Sequence, residues 1–555
     1  MLSVPLWVIF FALLTVVSIL TRSYLPIDET RYVSVAWDMW LHGSFLVPRL
    51  NGNLYSDKPP LLFWLFQLGW AVFGVNDTWP RIVPPIFGAT SLSMTATIAR
   101  KLWPDRTAIA DLAPLIAISS LLWMIFMSAT MFDMLIVFFT LLGVIGIIHS
   151  WRSSGLKGWF ILGAAIGLGI LAKGPVILLH TLPPALLAPW WAIEHRPKHW
   201  LSWYAGIVLA VIIGIIIALA WAIPAAKIGG EQYSQAIFWG QSAGRVVASF
   251  AHNRPLWWYL PLLPVILFPW LLWPALWRSF RSSAKQPSSC AIRFCLAWIV
   301  PVFIIFSLIS GKQPHYLLPI FPAFALLASQ ALDRAGEYSS WDPVLPALFI
   351  IFVGCILVLH GLFPLSPGLT WALSRVSPYY GIILIASALM QYALYLMKDN
   401  LRPALMAALG ILFVIVIHLA SIGIFSCYDM RNPSLYVARL QSENAAVCYV
   451  GKYHGIFNFL GRLQKPLEVI RKDQVRQWAI DHPGGYVIDG EERLDVEPGL
   501  WPEYQCTYGR HILKIWNSNS IVVGQHQMNQ EVVPAFLDRM IGGSRTRKIA
   551  LICKY

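Results

Sequence analysis

Long apolar runs constrain this sequence more than any other feature. A helix needs about 20 mostly apolar residues to cross the hydrocarbon core of a bilayer, and the chain contains about 13 such runs. They lie near residues 3–21, 80–99, 108–128, 131–149, 159–172, 174–192, 202–223, 257–277, 291–309, 314–332, 343–363, 378–397 and 403–425. Only 12% of the residues are charged, against about a quarter in a soluble domain. We therefore predict a mainly α-helical protein that crosses a membrane many times.

The first run could be a cleaved leader or a retained helix. Residues 6–20 have the apolar core of a signal peptide, but no lysine or arginine precedes them and no small-residue cleavage pattern follows. We interpret the run as a retained first membrane helix.

The net charge of +14 is carried by loops between the apolar runs. Cations spread over separate loops indicate membrane topology rather than a nucleic-acid-binding surface, which we exclude. With the N-terminus in the cytoplasm, the cytoplasmic loops carry the denser set: Arg100, Lys101, Arg106, Arg152, Lys157, Arg196, Lys198, Arg278, Arg281, Lys285, Arg334, Lys398 and Arg402. An odd number of spans then puts the C-terminal tail outside.

Two outer segments are too long to be simple turns. We expect a membrane domain over residues 1–427, whose first outer loop is 22–79, and a soluble domain over 428–555. In the first loop, 30–41 and 60–73 have amphipathic helical patterns and predict helices at the membrane interface. In the tail, short β-like runs near 446–450, 485–489, 511–515 and 548–553 predict a small α/β domain.

The cysteines and histidines predict no metal centre. None of the seven cysteines forms a CxxC pair, and His252 and His315 lack a partner at ligand spacing. We predict no metal site, and the sequence leaves dependence on a divalent metal open. In an oxidising compartment two of Cys448, Cys506 and Cys553 could pair, but the sequence does not select which.

The threading brings most of the unusual polar residues to the outer face. Charged groups near a membrane span are costly and usually functional, so their gathering at one face indicates a site for an anionic substrate. The residues are Asp28, Glu29, Arg31, Asp57, Lys58, Asp133, Lys173, Arg245, Arg254, Lys312, His315 and Tyr316.

Each candidate also has a structural alternative. Asp28 is a general base, a group that orients the acceptor, or a helix-end cap, and Glu29 could take its place in the chemistry. Lys58, stiffened by the prolines that follow it, either neutralises a phosphate leaving group or snorkels to lipid head groups. Asp133 either borders the site or ends a helix, and Lys173 either belongs to the site or is only a loop cation.

Several motifs resemble those of the GT-C membrane glycosyltransferases, of the protein O-mannosyltransferase and lipid A aminoarabinose transferase type. The matching pieces lie in roughly the first 330 residues: Asp28-Glu29-Thr30-Arg31-Tyr32, Pro48-Arg49-Leu50-Asn51-Gly52, Tyr55-Ser56-Asp57-Lys58-Pro59, Ala172-Lys173-Gly174, Arg254-Pro255-Leu256-Trp257-Trp258-Tyr259 and Lys312-Gln313-Pro314-His315-Tyr316-Leu317-Leu318-Pro319.

The resemblance implies a GT-C fold in a bacterial inner membrane, with a polyprenyl-phosphate sugar as donor and lipid A or another envelope glycan as acceptor. It also implies site roles: Asp28 as the key acid, Asp133 as a second acid, Arg31 as a site cation, and Lys58 and Tyr316 on the phosphate side. Arg245 aligns with an arginine of the family, but the preceding 241–243 departs from the family pattern and weakens any metal or acceptor claim.

Two alternatives remain open at this point. A protein or another glycan could be the acceptor on the same fold. A lipid or sugar transporter is the second alternative, although the chain shows neither an internal repeat nor mid-membrane charges that would favour transport.

Overall fold

A computed structural model of the chain describes residues 5–153, 155–240, 253–285, 289–335, 338–362, 366–490, 494 and 500–522. Its α-helices are α1 (Leu6–Thr21), α2 (Asp28–Leu41), α3 (Leu61–Phe73), α4 (Thr78–Leu102), α5 (Thr107–Ile118), α6 (Leu121–Met127), α7 (Asp133–Arg152), α8 (Lys157–Lys173), α9 (Val176–Leu186), α10 (Ala188–Trp191), α11 (Trp200–Gln235), α12 (Leu263–Ile266), α13 (Pro274–Ala284), α14 (Cys290–Leu308), α15 (Phe321–Ala335), α16 (Val344–Leu359), α17 (Pro367–Leu373), α18 (Pro378–Met397), α19 (Arg402–Ala420), α20 (Ile422–Ser426), α21 (Arg431–Ser442) and α22 (Val475–Asp481).

The strands form two sheets. They are β1 (Arg49–Leu50), β2 (Asn53–Leu54), β3 (Val447–Val450), β4 (Glu468–Ile470), β5 (Tyr486–Asp489), β6 (Tyr504–Tyr508) and β7 (His511–Asn517). The first sheet is the β1–β2 hairpin, and the second has the strand order β4-β3-β5-β7-β6.

Among the described residues, eight helical segments are long and apolar enough to cross a membrane, and α5 with α6 makes a ninth if that pair, bent by 71°, counts as one span. Four shorter apolar helices add to these, so the count of about 13 stays a prediction. The mainly helical membrane architecture is confirmed.

One predicted span has a different structure. Residues 257–277 form 3₁₀ turns, the single-turn helix α12 and the start of α13 instead of one continuous helix. Pro261, Pro264, Pro269 and Pro274 interrupt this stretch, and each proline removes a backbone donor and clashes with the preceding turn. Hydropathy alone does not register this cost.

Both helices expected in the first outer loop are present, but they differ in burial. On its outward side α3 exposes Leu68, Val72 and Phe73, as a helix at a membrane interface would. In contrast, α2 is buried on nearly all sides because residues 453–467 of the C-terminal region cover it. The polar face that the amphipathic pattern of α2 predicts is therefore mostly not exposed to solvent.

The C-terminal region contains the predicted α/β fold. Strands β3, β4 and β5 are parallel, β7 is antiparallel to β5, and β6 pairs with β7. Strands β4 and β6 were not predicted, and the expected run 548–553 lies outside the described residues. Cys448 lies on β3 and Cys506 on β6, which are not neighbours in the sheet. Cys553 lies outside the described residues, so the pairing of two tail cysteines stays a prediction.

Candidate active site

Asp28 begins α2 and places an exposed carboxylate in the candidate site. A carboxylate is favoured at this position because the N-terminal end of a helix has a partial positive charge. The Asp28 side chain is 51% exposed and forms an ion pair with Arg31 one helical turn later. The Tyr32 hydroxyl also donates to Oδ1 of Asp28 over 3.3 Å. These two partners orient the carboxylate while leaving it accessible.

The partners of Asp28 keep their protons. Burial raises the pKa of Tyr32 well above its usual range, and the charge of Asp28 raises it further, so the phenol remains a donor. Burial lowers the pKa of Arg31, but the two neighbouring tyrosines and Asp28 more than offset this effect. The acid therefore faces a permanent cation and a neutral hydroxyl.

Glu29 follows Asp28 in sequence but points into the protein. Its side chain is 4% exposed and forms a bidentate ion pair with Arg22. The backbone amides of Leu25 and Thr130 also donate to its two oxygens. The expectation that Glu29 could replace Asp28 as catalytic acid therefore conflicts with this geometry, because its acceptor positions are already used within the fold.

Asp133 and Lys173 form an ion pair at the same end of two antiparallel helices, α7 and α8. Asp133 begins α7 and Lys173 ends α8, so each charge lies at the helix end that favours it. The chain then turns at Gly174, where a φ of +83° suits a residue without a side chain. Lys173 Nζ lies 2.6 Å from Asp133 Oδ1, and the carboxylate is 2% exposed.

His315 and Tyr316 complete this charged group from a third segment. Nε2 of His315 lies 3.9 Å from Asp133 Oδ1, and the Lys173 ammonium lies 5.4 Å from the centre of the Tyr316 ring. Oδ2 of Asp133 is buried and has no hydrogen-bond partner among the described residues. Such an atom is costly to leave unpaired and can receive a proton or a polar ligand.

Lys58 belongs to the first outer loop but lies near charged residues of the membrane helices. It lies close enough to Asp133 and His315 to act on both electrostatically, and Asp28 acts on His315 in the same way. The two acids and the basic groups are thus neighbours, although they come from three regions of the sequence. We call Asp28, Lys58, Asp133, Lys173, His315 and Tyr316 the charged cluster.

Other predicted site residues lie outside the charged cluster. Lys312 is 2% exposed, and its ammonium donates to the carbonyl oxygens of Arg254 and Ile309 over 2.9 and 2.6 Å. Burial lowers its pKa. These bonds link Lys312 to two other backbone positions and occupy its ammonium. They therefore conflict with the expected contact between Lys312 and a substrate phosphate.

The remaining candidates are more exposed. The Arg254 side chain is exposed and lies over the Trp258 ring, and Asp57 is exposed beside Lys58. Arg245 lies outside the described residues, so its predicted role stays a prediction.

Sequence reasoning undervalued Lys173 and His315. Both residues were placed at the outer face, but neither was assigned a role in the site, and yet both lie beside Asp133. The sequence did contain a signal for the Asp133–Lys173 pair. Asp133 begins one apolar run and Lys173 ends the next, so an antiparallel pair of helices would bring them together. In the described part of the chain, no three His, Cys, Asp or Glu side chains are grouped so as to hold a metal ion.

Comparisons with known proteins assign the sequence to a family. The family model for dolichyl-phosphate-mannose-protein mannosyltransferases matches residues 57–223. An undecaprenyl phosphate-alpha-4-amino-4-deoxy-L-arabinose arabinosyl transferase of Erwinia tasmaniensis is 30% identical over 404 residues, which cover 70% of each chain. The chain belongs to this arabinosyl transferase family. The resemblance inferred from the motifs is thereby confirmed.

Other members of the arabinosyl transferase family match a shorter stretch. The relative of the same name from Pseudomonas aeruginosa PAO1 is 34% identical over 313 residues, and the chain spans only 55% of its length.

A structural comparison agrees on the fold. ArnT from Cupriavidus metallidurans, solved with bound undecaprenyl phosphate, superimposes with a TM-score of 0.70 over 92% of this chain and 97% of that one, at 17% identity. At this identity the likeness shows the fold alone, and it confirms the predicted GT-C architecture.

Proposed function

We propose that this chain is a glycosyltransferase that moves a sugar from a polyprenyl-phosphate carrier to an envelope lipid or glycan such as lipid A. The charged cluster is the observation that carries the proposal. Acids that can handle an acceptor and cations that can hold a phosphate occur at the same end of the helix bundle. The names of the relatives supply the donor class, a sugar linked to undecaprenyl phosphate.

The cations of the cluster suit a phosphate leaving group. Lys58 and Lys173 belong to different segments of the chain. Lys173 pairs with Asp133, and Arg31 pairs with Asp28. An ammonium or guanidinium stabilises the negative charge that grows on the phosphate oxygen as the glycosidic bond breaks. The undecaprenyl phosphate bound in the Cupriavidus ArnT structure supports the same carrier.

The reaction we propose is a single displacement with inversion at the anomeric carbon. An acceptor oxygen forms the new bond while the carbon–oxygen bond to phosphate breaks, and its electron pair leaves with the polyprenyl phosphate. If the acceptor is a hydroxyl, Asp28 takes its proton. If the acceptor is a phosphate of lipid A, the nucleophile is already anionic, and Asp28 orients it instead.

We further propose that the site faces the periplasm and that the chain divides near residue 428. Arg100 and Lys101 end α4, and Arg152 and Lys157 flank the α7–α8 turn, at the opposite end of these helices from the charged cluster. Loop cations concentrate on the cytoplasmic side of a membrane protein, which supports this orientation.

A second candidate function keeps the chemistry and changes the acceptor to a protein. The match of residues 57–223 to the protein mannosyltransferase model favours it, because that stretch contains Lys58, Asp133 and Lys173. Mass spectrometry of lipid A and of envelope glycoproteins from a deletion strain separates the two: loss of a sugar from lipid A supports the first acceptor, and loss from glycoproteins supports the second.

The proposed function is tested by sugar transfer from a synthetic undecaprenyl-phosphate sugar to lipid A. We expect Asp28→Asn and Lys58→Ala each to lower the rate at least about 100-fold, while the purified protein stays folded. The matched controls are Asp105→Asn and Lys157→Ala, two exposed residues at the opposite end of the bundle, which should keep the wild-type rate. Full activity of both site variants would refute the assignment.

A further inference from the structure

A buried ion pair lies directly behind the charged cluster. Arg22 follows α1 and Glu29 is the second residue of α2, and their side chains are 6% and 4% exposed. The two nitrogens of the Arg22 fork donate to the two oxygens of Glu29 over 3.1 and 2.9 Å. Burying both charges is costly unless their geometry is good, so the pair calls for a specific explanation.

The ion pair fastens three segments to one another. Glu29 also accepts the amide of Leu25 at 2.7 Å and the amide of Thr130 at 2.6 Å. Nη2 of Arg22, which donates to one oxygen of Glu29, also donates to the carbonyl oxygen of Ser128 at 2.5 Å. The end of α1, the start of α2 and the 128–130 turn therefore converge on one carboxylate and one guanidinium.

Two of the three segments adjoin an acid of the charged cluster. Asp28 precedes Glu29, and Asp133 follows Thr130 by three residues. The edge of the Tyr32 ring also packs on Phe132 with ring centres 4.9 Å apart, which adds a second contact between α2 and the start of α7. A shift of the Thr130 turn relative to α2 would change the separation of the two acids.

We propose that the Arg22–Glu29 pair is a positioning device that fixes the spacing of Asp28 and Asp133. This inference rests on the proposed glycosyl transfer and goes beyond it by assigning Glu29 a task distinct from that of Asp28. Neither member of the pair touches substrate. They act through the two acids, whose alignment with the acceptor and the sugar determines the rate of the displacement.

Glutamine cannot replace Glu29 in this setting. All four groups that contact the carboxylate are donors, so the NH₂ of a glutamine would face a donor in either orientation of the amide. The Arg22 charge would also lose its counterion while it remains buried. By contrast, Arg22→Lys keeps the charge and at least one bond but loses the bidentate fork.

The test compares kcat and the KM for the undecaprenyl-phosphate sugar in the full chain. We expect Glu29→Gln to lower kcat about 100-fold, the size of effect that an error of about 1 Å in alignment produces. Its donor KM should stay within about twofold, because the phosphate-side cations are untouched. Arg22→Lys should lower kcat less, also with an unchanged KM.

The matched control is another buried acid at the far end of a membrane span. Asp342 is 1% exposed and accepts Arg278 over 2.7 Å and the amide of Ser339 over 2.7 Å. Asp342→Asn should lower the melting temperature as much as Glu29→Gln does but keep the wild-type kcat per folded molecule. An equal fall of kcat in Asp342→Asn would make the effect of Glu29 merely structural and overturn the proposal.

The outcomes also separate this inference from the proposed function. If Asp28→Asn is inactive and folded Glu29→Gln has the wild-type kcat, the positioning role fails and the glycosyltransferase survives. If Asp28→Asn and Lys58→Ala are both fully active, the proposed function fails. Should Glu29→Gln not fold, Arg22→Lys decides alone: a lower kcat at constant KM supports the proposal, and an unchanged kcat overturns it.

Discussion

Adjacent acids at the start of α2 meet opposite environments. Asp28 is exposed beside the charged cluster, whereas Glu29 is buried against Arg22. The residue pattern alone left either acid as the catalytic one, and only the family resemblance favoured Asp28. The choice depends on Ser128 and Thr130, which lie about 100 residues away in sequence and donate or accept bonds only once the helices have packed. Lys173 was undervalued for the same reason.

The Asp133–Lys173 pair gives a prediction at the residue scale. Lys173→Met leaves a buried carboxylate without its ammonium, which should destabilise the protein by about 3 kcal/mol. The double variant Lys173→Met/Asp133→Asn removes the unpaired charge and should recover most of that stability without recovering sugar transfer. Melting temperature and transfer rate measure the two effects.

A control and a contradicting result are available for this pair. Arg439→Met breaks an exposed ion pair with Glu443 and should leave the melting temperature close to that of the wild type, because exposed pairs contribute little to stability. A double variant that is no more stable than Lys173→Met alone would show that Asp133 does not depend on the lysine.

At the scale of elements, the sequence predicted the turns and helices whose conformation depends on neighbouring residues. Asn51-Gly52 is a residue pair typical of a two-residue hairpin turn, and both residues have positive φ, 53° and 79°, between β1 and β2. Helices α2 and α3 were predicted within two residues of their observed bounds. The proline-interrupted stretch 257–277 was mispredicted because apolar content outweighed the missing backbone donors.

The β1–β2 hairpin gives a prediction at the element scale. Oδ1 of Asn51 accepts from the amide of Leu467 at 2.8 Å and from the Asn458 amide group at 3.2 Å, and its Nδ2 donates to the carbonyl of Leu467 at 2.8 Å. Asn51→Ala removes all three bonds and places alanine at a positive φ, so we expect a loss of about 2–3 kcal/mol. Because the hairpin leads into Lys58, sugar transfer should also slow.

Two further variants isolate the cause. Asn51→Gly restores the backbone freedom but not the side-chain bonds, so its melting temperature should lie between those of Asn51→Ala and the wild type. Asn53→Ala changes an exposed residue of the same hairpin and should have no effect. Wild-type melting of Asn51→Ala would contradict the clamping role of the side chain.

Across the whole molecule, the first outer loop lies between the membrane helices and the C-terminal sheet. Segment 453–467 covers α2 through bonds to Ser34 and Trp37, and Asp77 pairs with both Arg431 and Arg462. The sequence predicted the loop and the tail as separate regions. It could not predict that they dock, because the partners lie 354 to 426 residues apart and carry no shared motif.

The central claim is that the acids and cations form one pocket that holds a carrier phosphate. The most direct measurement is a cryo-EM structure of the full chain in lipid nanodiscs with undecaprenyl phosphate. We predict phosphate density within about 3 Å of the Lys58 ammonium, in a cavity that both Asp28 and Asp133 face. Density beside Arg152 and Lys157 at the opposite end of the bundle, or a Lys58 ammonium that does not reach the phosphate, would contradict the claim.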